Sequence, residues 1–143
     1  MSRYVSTLFC DDIRNEIGGK VSYIGTYAST LYVKKFPATL PKLAIYLKAT
    51  APADDPFIKL SVQIMLDDKV IGEQDIDPDV DNSDIAENSK ARLNLIRAHF
   101  VFSPFRVKET CLVKVKVTDE KGQEYLDSTL RIKENESNED SAE

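Results

Sequence analysis

The chain has no tryptophan, one histidine and two cysteines among its 143 residues. Because His99 is the only histidine, sites with several histidine ligands are excluded, and the spacing indicates no Cys–His pair. The sequence also lacks a G-x-S-x-G motif, a P-loop and a dinucleotide-binding fingerprint. We therefore expect a protein that is not an enzyme and that needs no cofactor.

Long apolar runs are absent as well. No segment approaches the roughly 20 apolar residues that span a bilayer, and residues 1–12 do not follow the pattern of a secretory signal. Cys10 and Cys111 lie far apart in the sequence, each inside an apolar segment, which predicts two buried reduced thiols rather than a disulfide. These features predict a cytoplasmic protein with no membrane partner.

The charge is distributed unevenly. The formal net charge is -5, but residues 134–143 hold five acidic residues and no basic one. The remaining chain is neutral, with 19 basic and 19 acidic residues. A neutral body with an acidic end argues against direct nucleic-acid binding, because phosphates require a basic surface. We predict one domain over residues 1–133 and a disordered acidic tail over residues 134–143.

Apolar residues at alternate positions predict half-buried β-strands along most of the chain. Four segments show this pattern clearly: residues 43–49, 58–66, 111–117 and 126–132. The turn at Asp119–Gly122 predicts a hairpin between residues 110–118 and 123–133. Around Leu95 and Ile96 the apolar parity switches. Either a β-bulge or a strand that is buried on both faces accounts for the switch, and we favour the bulge.

The expected fold is therefore all-β. The spacing of the strands predicts a two-sheet β-sandwich, immunoglobulin-like or C2-like, with seven to nine mostly antiparallel strands. A flattened β-barrel is the alternative. Short helical turns are expected over residues 11–17 and 84–92.

The stretch from Phe9 to Tyr27, FCDDIRNEIGGKVSYIGTY, is the densest in residues with special charge or backbone roles. Asp11 and Asp12 follow the apolar strand 5–9 and can accept hydrogen bonds from backbone amides, which predicts a capped turn. Ile17 then packs inward, and Gly18 and Gly19 release the chain into the next strand. The alternative is functional: the stretch forms an exposed charged ridge that binds a partner and consists of Asp11, Asp12, Arg14 and Glu16.

The same stretch resembles an uncharacterised bacterial and phage protein family. Members of that family carry a similar CDDIR-x-E-x-GGK-x-S-x-IG-x-Y opening and a later FP…LPKL element. This chain matches the opening from Cys10 to Tyr27, and it has Phe36-Pro37 and Leu40-Pro41-Lys42-Leu43. The resemblance implies a small cytosolic β-rich protein of a bacterium or its phage, and it carries no known reaction.

An acidic loop over residues 75–87 is the second candidate site. Asp75, Asp77, Asp79 and Asp81 alternate with other residues and could supply oxygen ligands to Ca²⁺. The EF-hand pattern fails, however, since neither register from Asp75 or Asp77 has the required glycine and glutamate. A solvated acidic loop, with Asp77, Asp79 and Asp81 available to a basic partner surface, is the simpler interpretation.

Tyrosines suggest a third surface. Tyr32 and Tyr46 have the opposite parity to the apolar residues around them, which predicts an outward tyrosine patch for a dimer or another partner. His99 has the parity of an exposed residue.

Taken together, these features predict a non-enzymatic cytoplasmic protein-binding module. In a phage setting, such a protein would inhibit or modulate a host protein, including a defence protein. The alternatives are a Ca²⁺- or small-ligand-binding sandwich and a virion or assembly component. A homodimer is also compatible with the sequence.

Overall fold

The computed structural model describes residues 2–78, 84–85 and 93–135 and contains thirteen β-strands there. The longer strands form where apolar residues alternate with polar ones. The strands are β1 (Tyr4–Asn15), β2 (Val21–Tyr27), β3 (Thr30–Val33), β4 (Ala38–Leu40), β5 (Leu43–Pro52), β6 (Leu60–Leu66), β7 (Lys69–Ile76), β8 (Asp84–Ile85), β9 (Leu93–Phe102), β10 (Phe105–Val107), β11 (Cys111–Asp119), β12 (Glu124–Tyr125) and β13 (Leu130–Glu134). No helix in this part of the chain is long and apolar enough to cross a membrane.

Two large sheets contain most of the strands. The first has the order β2-β1-β5-β9-β8 and is antiparallel throughout. The second has the order β3-β13-β11-β6-β7, with β12 also paired to β11, and only its β3–β13 pair is parallel. β4 and β10 form a separate two-stranded sheet. Among the described strands no sheet closes into a barrel, so the fold is the predicted all-β sandwich.

The core lies between the two large sheets. Side chains at alternate positions of each sheet point inward, as the period of two requires, and they form one apolar cluster. The first sheet contributes Val5, Phe9, Leu43, Ile45, Leu47, Ala49 and Ile96, and the second contributes Leu31, Leu60, Val62, Ile64, Val113, Val115, Val117, Leu130 and Ile132. We call the side of the first sheet that points away from this cluster its outer face.

The predicted bulge at Leu95–Ile96 is wrong. β9 pairs with β5 without a register shift from Leu93 to Phe102. Ile96 enters the core, whereas Leu95 lies half-buried on the outer face. Apolar residues thus occur on both faces of β9, which lies between β5 and β8 in the first sheet.

The predicted hairpin after β11 forms, but it is interrupted. β12 and β13 both pair with β11, and residues 126–129 between them leave the sheet. Leu126 is consequently 56% exposed. Asp127 instead accepts a hydrogen bond from the backbone N–H of Thr7 at 2.9 Å, which connects this segment to the first sheet. Tertiary contact with β1 has overridden the local alternation.

Two further predictions concern segments that lie partly outside the described residues. Residues 84–85 form β8, whereas the rest of the helical turn expected over residues 84–92 lies outside the described residues. The expected acidic tail lies outside them from residue 136 onward.

Candidate functional site

The stretch singled out in the sequence folds as the β1–β2 hairpin. The two strands pair from Phe9↔Tyr27 to Asn15↔Val21, so β1 continues well beyond the two aspartates. The turn over residues 16–20 is closed by a hydrogen bond from Glu16 N to Lys20 O at 2.8 Å. The expected helical turn over residues 11–17 is therefore wrong, because cross-strand pairing satisfies the backbone groups that capping would otherwise serve.

The outer half of this hairpin bends back over the outer face of the first sheet. Tyr23 pairs with Ile13, while Tyr46 pairs with Leu8, five residues earlier in β1. In a straight hairpin those two positions would be roughly 17 Å apart along the strand. The ring centroids of Tyr23 and Tyr46 are nevertheless only 4.9 Å apart. The hairpin must therefore curve back toward β5.

Burial beneath the bend agrees with this geometry. Cys10 and Ala44 pair with each other across β1 and β5 and are both fully buried, although neither belongs to the core cluster. The thiol of Cys10 donates a hydrogen bond to the carbonyl oxygen of Asp12 at 3.4 Å. Burial raises the pKa of this thiol, so Cys10 remains protonated at neutral pH.

The bend occurs where Asp11 lies opposite Gly25. Gly25 has a φ of +70°, a conformation that L-amino acids with a Cβ adopt only at a cost. A Cβ at this position would overlap the carboxylate of Asp11. The same carboxylate accepts a hydrogen bond from the hydroxyl of Tyr27. Burial, followed by this hydrogen bond, raises the pKa of Tyr27, so its hydroxyl remains a donor at physiological pH.

A salt bridge connects the stem of the hairpin to the body. Lys42, just before β5, lies 2.9 Å from a carboxylate oxygen of Asp12, and the backbone N–H of Ile13 donates to the same oxygen. The hydrogen bond from Lys42 is the main reason that the pKa of Asp12 is lowered. Asp11 and Asp12 thus hold the hairpin in its bent form.

Three rings form an aromatic cluster under the hairpin: Tyr23, Tyr46 and His99. His99 lies 5.4 Å from Tyr46 and 5.9 Å from Tyr23, measured between centroids, and its Nε2 is 3.3 Å from the hydroxyl of Tyr23. His99 is exposed, as its parity predicted, but partial desolvation by the neighbouring groups lowers its pKa, so the imidazole is neutral at pH 7. Tyr23 of the hairpin therefore packs on two uncharged rings of the first sheet, Tyr46 and His99.

The tip of the hairpin is open to solvent. Ile17 is 92% exposed, so the expectation that it packs inward is wrong. Gly18 and Gly19 follow it with φ values of +87° and +78°, and a Cβ at either position would meet no atom within 4 Å. The reversal that these glycines permit leaves the Ile17 side chain no neighbouring surface to cover it.

The predicted site residues are only partly brought together. The four residues of the predicted ridge share the hairpin, but Asp11 and Asp12 have structural partners, whereas Arg14 and Glu16 are exposed. The predicted tyrosine patch is wrong: Tyr32 lies on β3 of the second sheet, where it is 59% exposed, whereas Tyr46 belongs to the aromatic cluster of the first sheet. Parity alone does not say on which sheet an outward residue lies.

The acidic loop is described only in part. Asp75 and Ile76 are the last residues of β7, and Asp77 follows them. The three residues line a shallow cleft of about 420 Å³ together with Ile58 and Lys59. Asp79 and Asp81 lie outside the described residues. Within residues 2–78 and 93–135, no three His, Cys, Asp or Glu side chains are grouped closely enough to hold a metal ion.

A second charged cluster, which the sequence did not indicate, lies at the opposite end of β1. Arg3 forms salt bridges with Asp119 at 2.8 Å, Glu120 at 2.7 Å and Asp55 at 3.3 Å, and its guanidinium lies 4.8 Å from the ring centroid of Phe57. The side chains of Arg3 and Asp119 are only 6% and 1% exposed. We call Arg3, Asp55, Asp119 and Glu120 the Arg3 network.

The carboxylate of Asp119 accepts three hydrogen bonds besides the one from Arg3. It accepts bonds from the hydroxyl of Tyr125 at 2.8 Å and from the backbone N–H groups of Lys121 and Gln123 at 2.8 and 2.9 Å. A buried, fully hydrogen-bonded group of this kind joins the N-terminal segment to the β11–β12 turn. The Arg3 network is therefore structural.

The Arg3 network predicts a loss of stability in acid. Burial alone would raise the pKa values of Asp119 and Glu120, but hydrogen bonds to the carboxylates outweigh it and lower both. Folded-state pKa values below the unfolded values of about 3.9 and 4.3 mean that the stabilisation is present above pH 5 and disappears as pH falls through the folded-state values. In thermal melts from pH 7 to pH 3, the difference in melting temperature between wild type and Asp119→Ala should shrink below about pH 4. A constant difference would contradict this assignment.

Comparison with known proteins places the chain in a family. A model described as "Family of unknown function (DUF6941)" matches residues 5–125, which include both strands of the hairpin, the aromatic cluster and the β11–β12 turn. No curated protein and no solved structure matches the chain significantly. Because the match covers most of the 143 residues, the chain belongs to this family of unknown function, DUF6941.

Proposed function

We propose that this protein is a non-catalytic protein-binding module and that the β1–β2 hairpin is its recognition element. The observation that carries the proposal is the exposure of Ile17, an isoleucine that is 92% accessible at the tip of a hairpin whose stem is held in place. Apolar side chains that are buried on binding and presented in a fixed geometry supply much of the affinity of protein interfaces.

The stem supports this proposal because it is fixed at three places. Asp11 contacts Tyr27 at the bend, Asp12 pairs with Lys42, and Tyr23 packs on Tyr46. A hairpin that is already ordered loses little conformational entropy on binding, which favours affinity. These charged and aromatic groups thus hold the hairpin in its bent form.

We also propose that the protein acts in the cytoplasm. Two buried free cysteines, Cys10 and Cys111, support this proposal, because cysteines stay unpaired mostly in reducing compartments. The partner is a cellular protein, and it would be a host protein, such as one of a defence system, if a phage encodes this chain.

Ile17→Ser tests the proposal. Burying an isoleucine side chain in a partner's pocket contributes about 1.5–3 kcal/mol, so this change should weaken binding roughly 10- to 100-fold. Because Ile17 makes no packing contact in the free protein, its melting temperature should not change measurably. The measurement is quantitative capture of partners from cell lysate on immobilised wild type and variant, followed by calorimetry with the purified partner.

Leu126→Ser is the matched control, because Leu126 is another exposed aliphatic residue, far from the hairpin in sequence and in the segment between β12 and β13. A partner retained by wild type and Leu126→Ser but lost by Ile17→Ser supports the proposal. Equal recovery with all three proteins, or no reproducible partner of the wild type, would show that the hairpin tip is not a recognition element.

A further inference from the structure

We propose that the open edge of β2 is a strand-addition site, where an extended segment of the protein partner pairs with residues 21–24. This inference rests on the proposed function, because it assigns a binding mode to the same hairpin. Strand addition uses backbone hydrogen bonds for affinity and the alternate side chains of the added strand for specificity.

The β2 edge is unlike the other sheet edges in the described part of the chain. β2 pairs only with β1, and its sequence VSYIGTY contains neither a charged residue nor a proline over seven residues. Edges of natural sheets are usually protected by charge, shortness, proline or bulges. β7 carries Lys69, Glu73 and Asp75 together with a register shift, β3 has four residues, and β8 has two.

Hydrogen-bond alternation shows which groups face the open edge. Glu16 N donates to Lys20 O, so this opposed pair is of the hydrogen-bonded kind. With the same register, Ser22 and Ile24 bond toward β1, whereas the backbone groups of Val21 and Tyr23 point away from it. Two successive outward positions present the donors and acceptors that an added strand requires.

The side chains along this edge suit an extended apolar segment. Val21 and Ile24 are both exposed, on opposite faces of β2, and Ile17 is exposed beyond them at the tip. Gly25, with its positive φ, ends the regular stretch, so the added strand pairs with residues 21–24.

The geometry favours a separate partner over a second copy of this chain. Antiparallel self-pairing of β2 about a two-fold axis would place the two hairpin tips at opposite ends of the pair. That contact would not bury Ile17 of either copy against the other tip. A partner segment that runs along β2 and past the turn would contact Ile17 at the tip, and its own alternate side chains would lie beside Val21 on one face and Ile24 on the other.

Val21→Pro and Val21→Ala form the test pair. Proline is tolerated at the first residue of a strand, and here it removes one outward N–H without removing a hydrogen bond to β1. Alanine shortens the same side chain but keeps the N–H. The probe is a display library of random peptides selected on wild-type protein. We expect selected peptides to bind Val21→Pro at least about tenfold more weakly than Val21→Ala.

Amide hydrogen exchange on wild-type protein gives a second readout that does not depend on the fold of any variant. A selected peptide should slow exchange of the Val21 and Tyr23 amides at least about tenfold. Equal binding to both variants, no slowing at these amides, or no selectable peptide would overturn strand addition. Both amides could instead exchange slowly without peptide, in a protein that light scattering shows to be a dimer. The occupant of the edge would then be a second copy of the chain, and the proposal of a separate partner would be overturned.

These outcomes are separable from those of Ile17→Ser. Loss of partner binding in Ile17→Ser, with equal peptide binding to both Val21 variants, would retain the hairpin as the recognition element and reject strand addition. Peptide binding that depends on the Val21 N–H, with partner capture unaffected by Ile17→Ser, would place recognition at the edge rather than at the tip.

Discussion

Replacing Asp119 with alanine is expected to lower the melting temperature by roughly 10 °C. The change removes a buried carboxylate that accepts bonds from Arg3, Tyr125 and two backbone N–H groups. Arg3 is then left with a buried guanidinium and fewer partners. Removing one member of a buried ion pair typically costs about 3 kcal/mol or more, and in a domain of this size each kcal/mol corresponds to a few degrees.

Asp54→Ala is the control for this experiment, because Asp54 is an exposed aspartate in the loop beside Asp55. Its replacement should change the free energy of unfolding by no more than about 0.5 kcal/mol. Thermal and urea melts of both variants measure the difference. If Asp119→Ala melts within a degree or two of Asp54→Ala, the Arg3 network does not stabilise the fold.

Replacing Gly25 with alanine should release the bend of the hairpin. The positive φ alone costs a residue with a Cβ about 1–2 kcal/mol, and the added methyl group would overlap the carboxylate of Asp11. We expect a loss of more than about 2 kcal/mol and the separation of Tyr23 from Tyr46 and His99. Chemical shifts of the tyrosine and histidine rings measure that separation, and thermal melts measure the destabilisation.

Gly18→Ala is the matched control, since Gly18 has a similar φ but open space where a Cβ would stand. It should show only the conformational cost and leave the ring shifts unchanged. In an Asp11→Ala background, Gly25→Ala should likewise cost only about 1–2 kcal/mol, because the overlap is absent. Equal effects of Gly18→Ala and Gly25→Ala would show that the contact with Asp11 does not hold the bend.

In the proposed function the position of the hairpin matters, because Ile17 and the β2 edge are presented by the same stem. If the proposed function is correct, Gly25→Ala should also weaken partner binding, although Gly25 itself need not touch the partner. Preorganisation of the free hairpin accounts for that effect, since a released hairpin must be ordered again on binding.

Local pattern was sufficient for much of the fold. Alternation identified the strands around Ile45, Ile64 and Val115, and the turn at Gly122 identified the hairpin after β11. It failed at Ile58 and Leu126, which continue an apolar alternation but are exposed. Periodicity records which residues can face a core, whereas the ends of the paired strands decide which of them do.

The candidate site was found only in part. The density of charge and glycine in residues 9–27 pointed to the hairpin, but not to its shape. Gly25 was the available signal, because a glycine inside an alternating strand indicates a bulge or a close approach of another group. Lys42 and His99 gave no comparable signal, since each reaches the hairpin from a part of the chain that is distant in sequence.

The sequence by itself therefore determined the all-β class, the alternation that builds the core and the burial of both thiols, because these depend on residue type and on spacing within single strands. Tertiary structure alone decided the bend of the β1–β2 hairpin, the exposure of Ile17 and the Arg3 network. Arg3 and Asp119 are separated by 116 positions, and Tyr23 and His99 by 76. Contacts over such separations depend on how strands are ordered and curved, and no local pattern encodes that order.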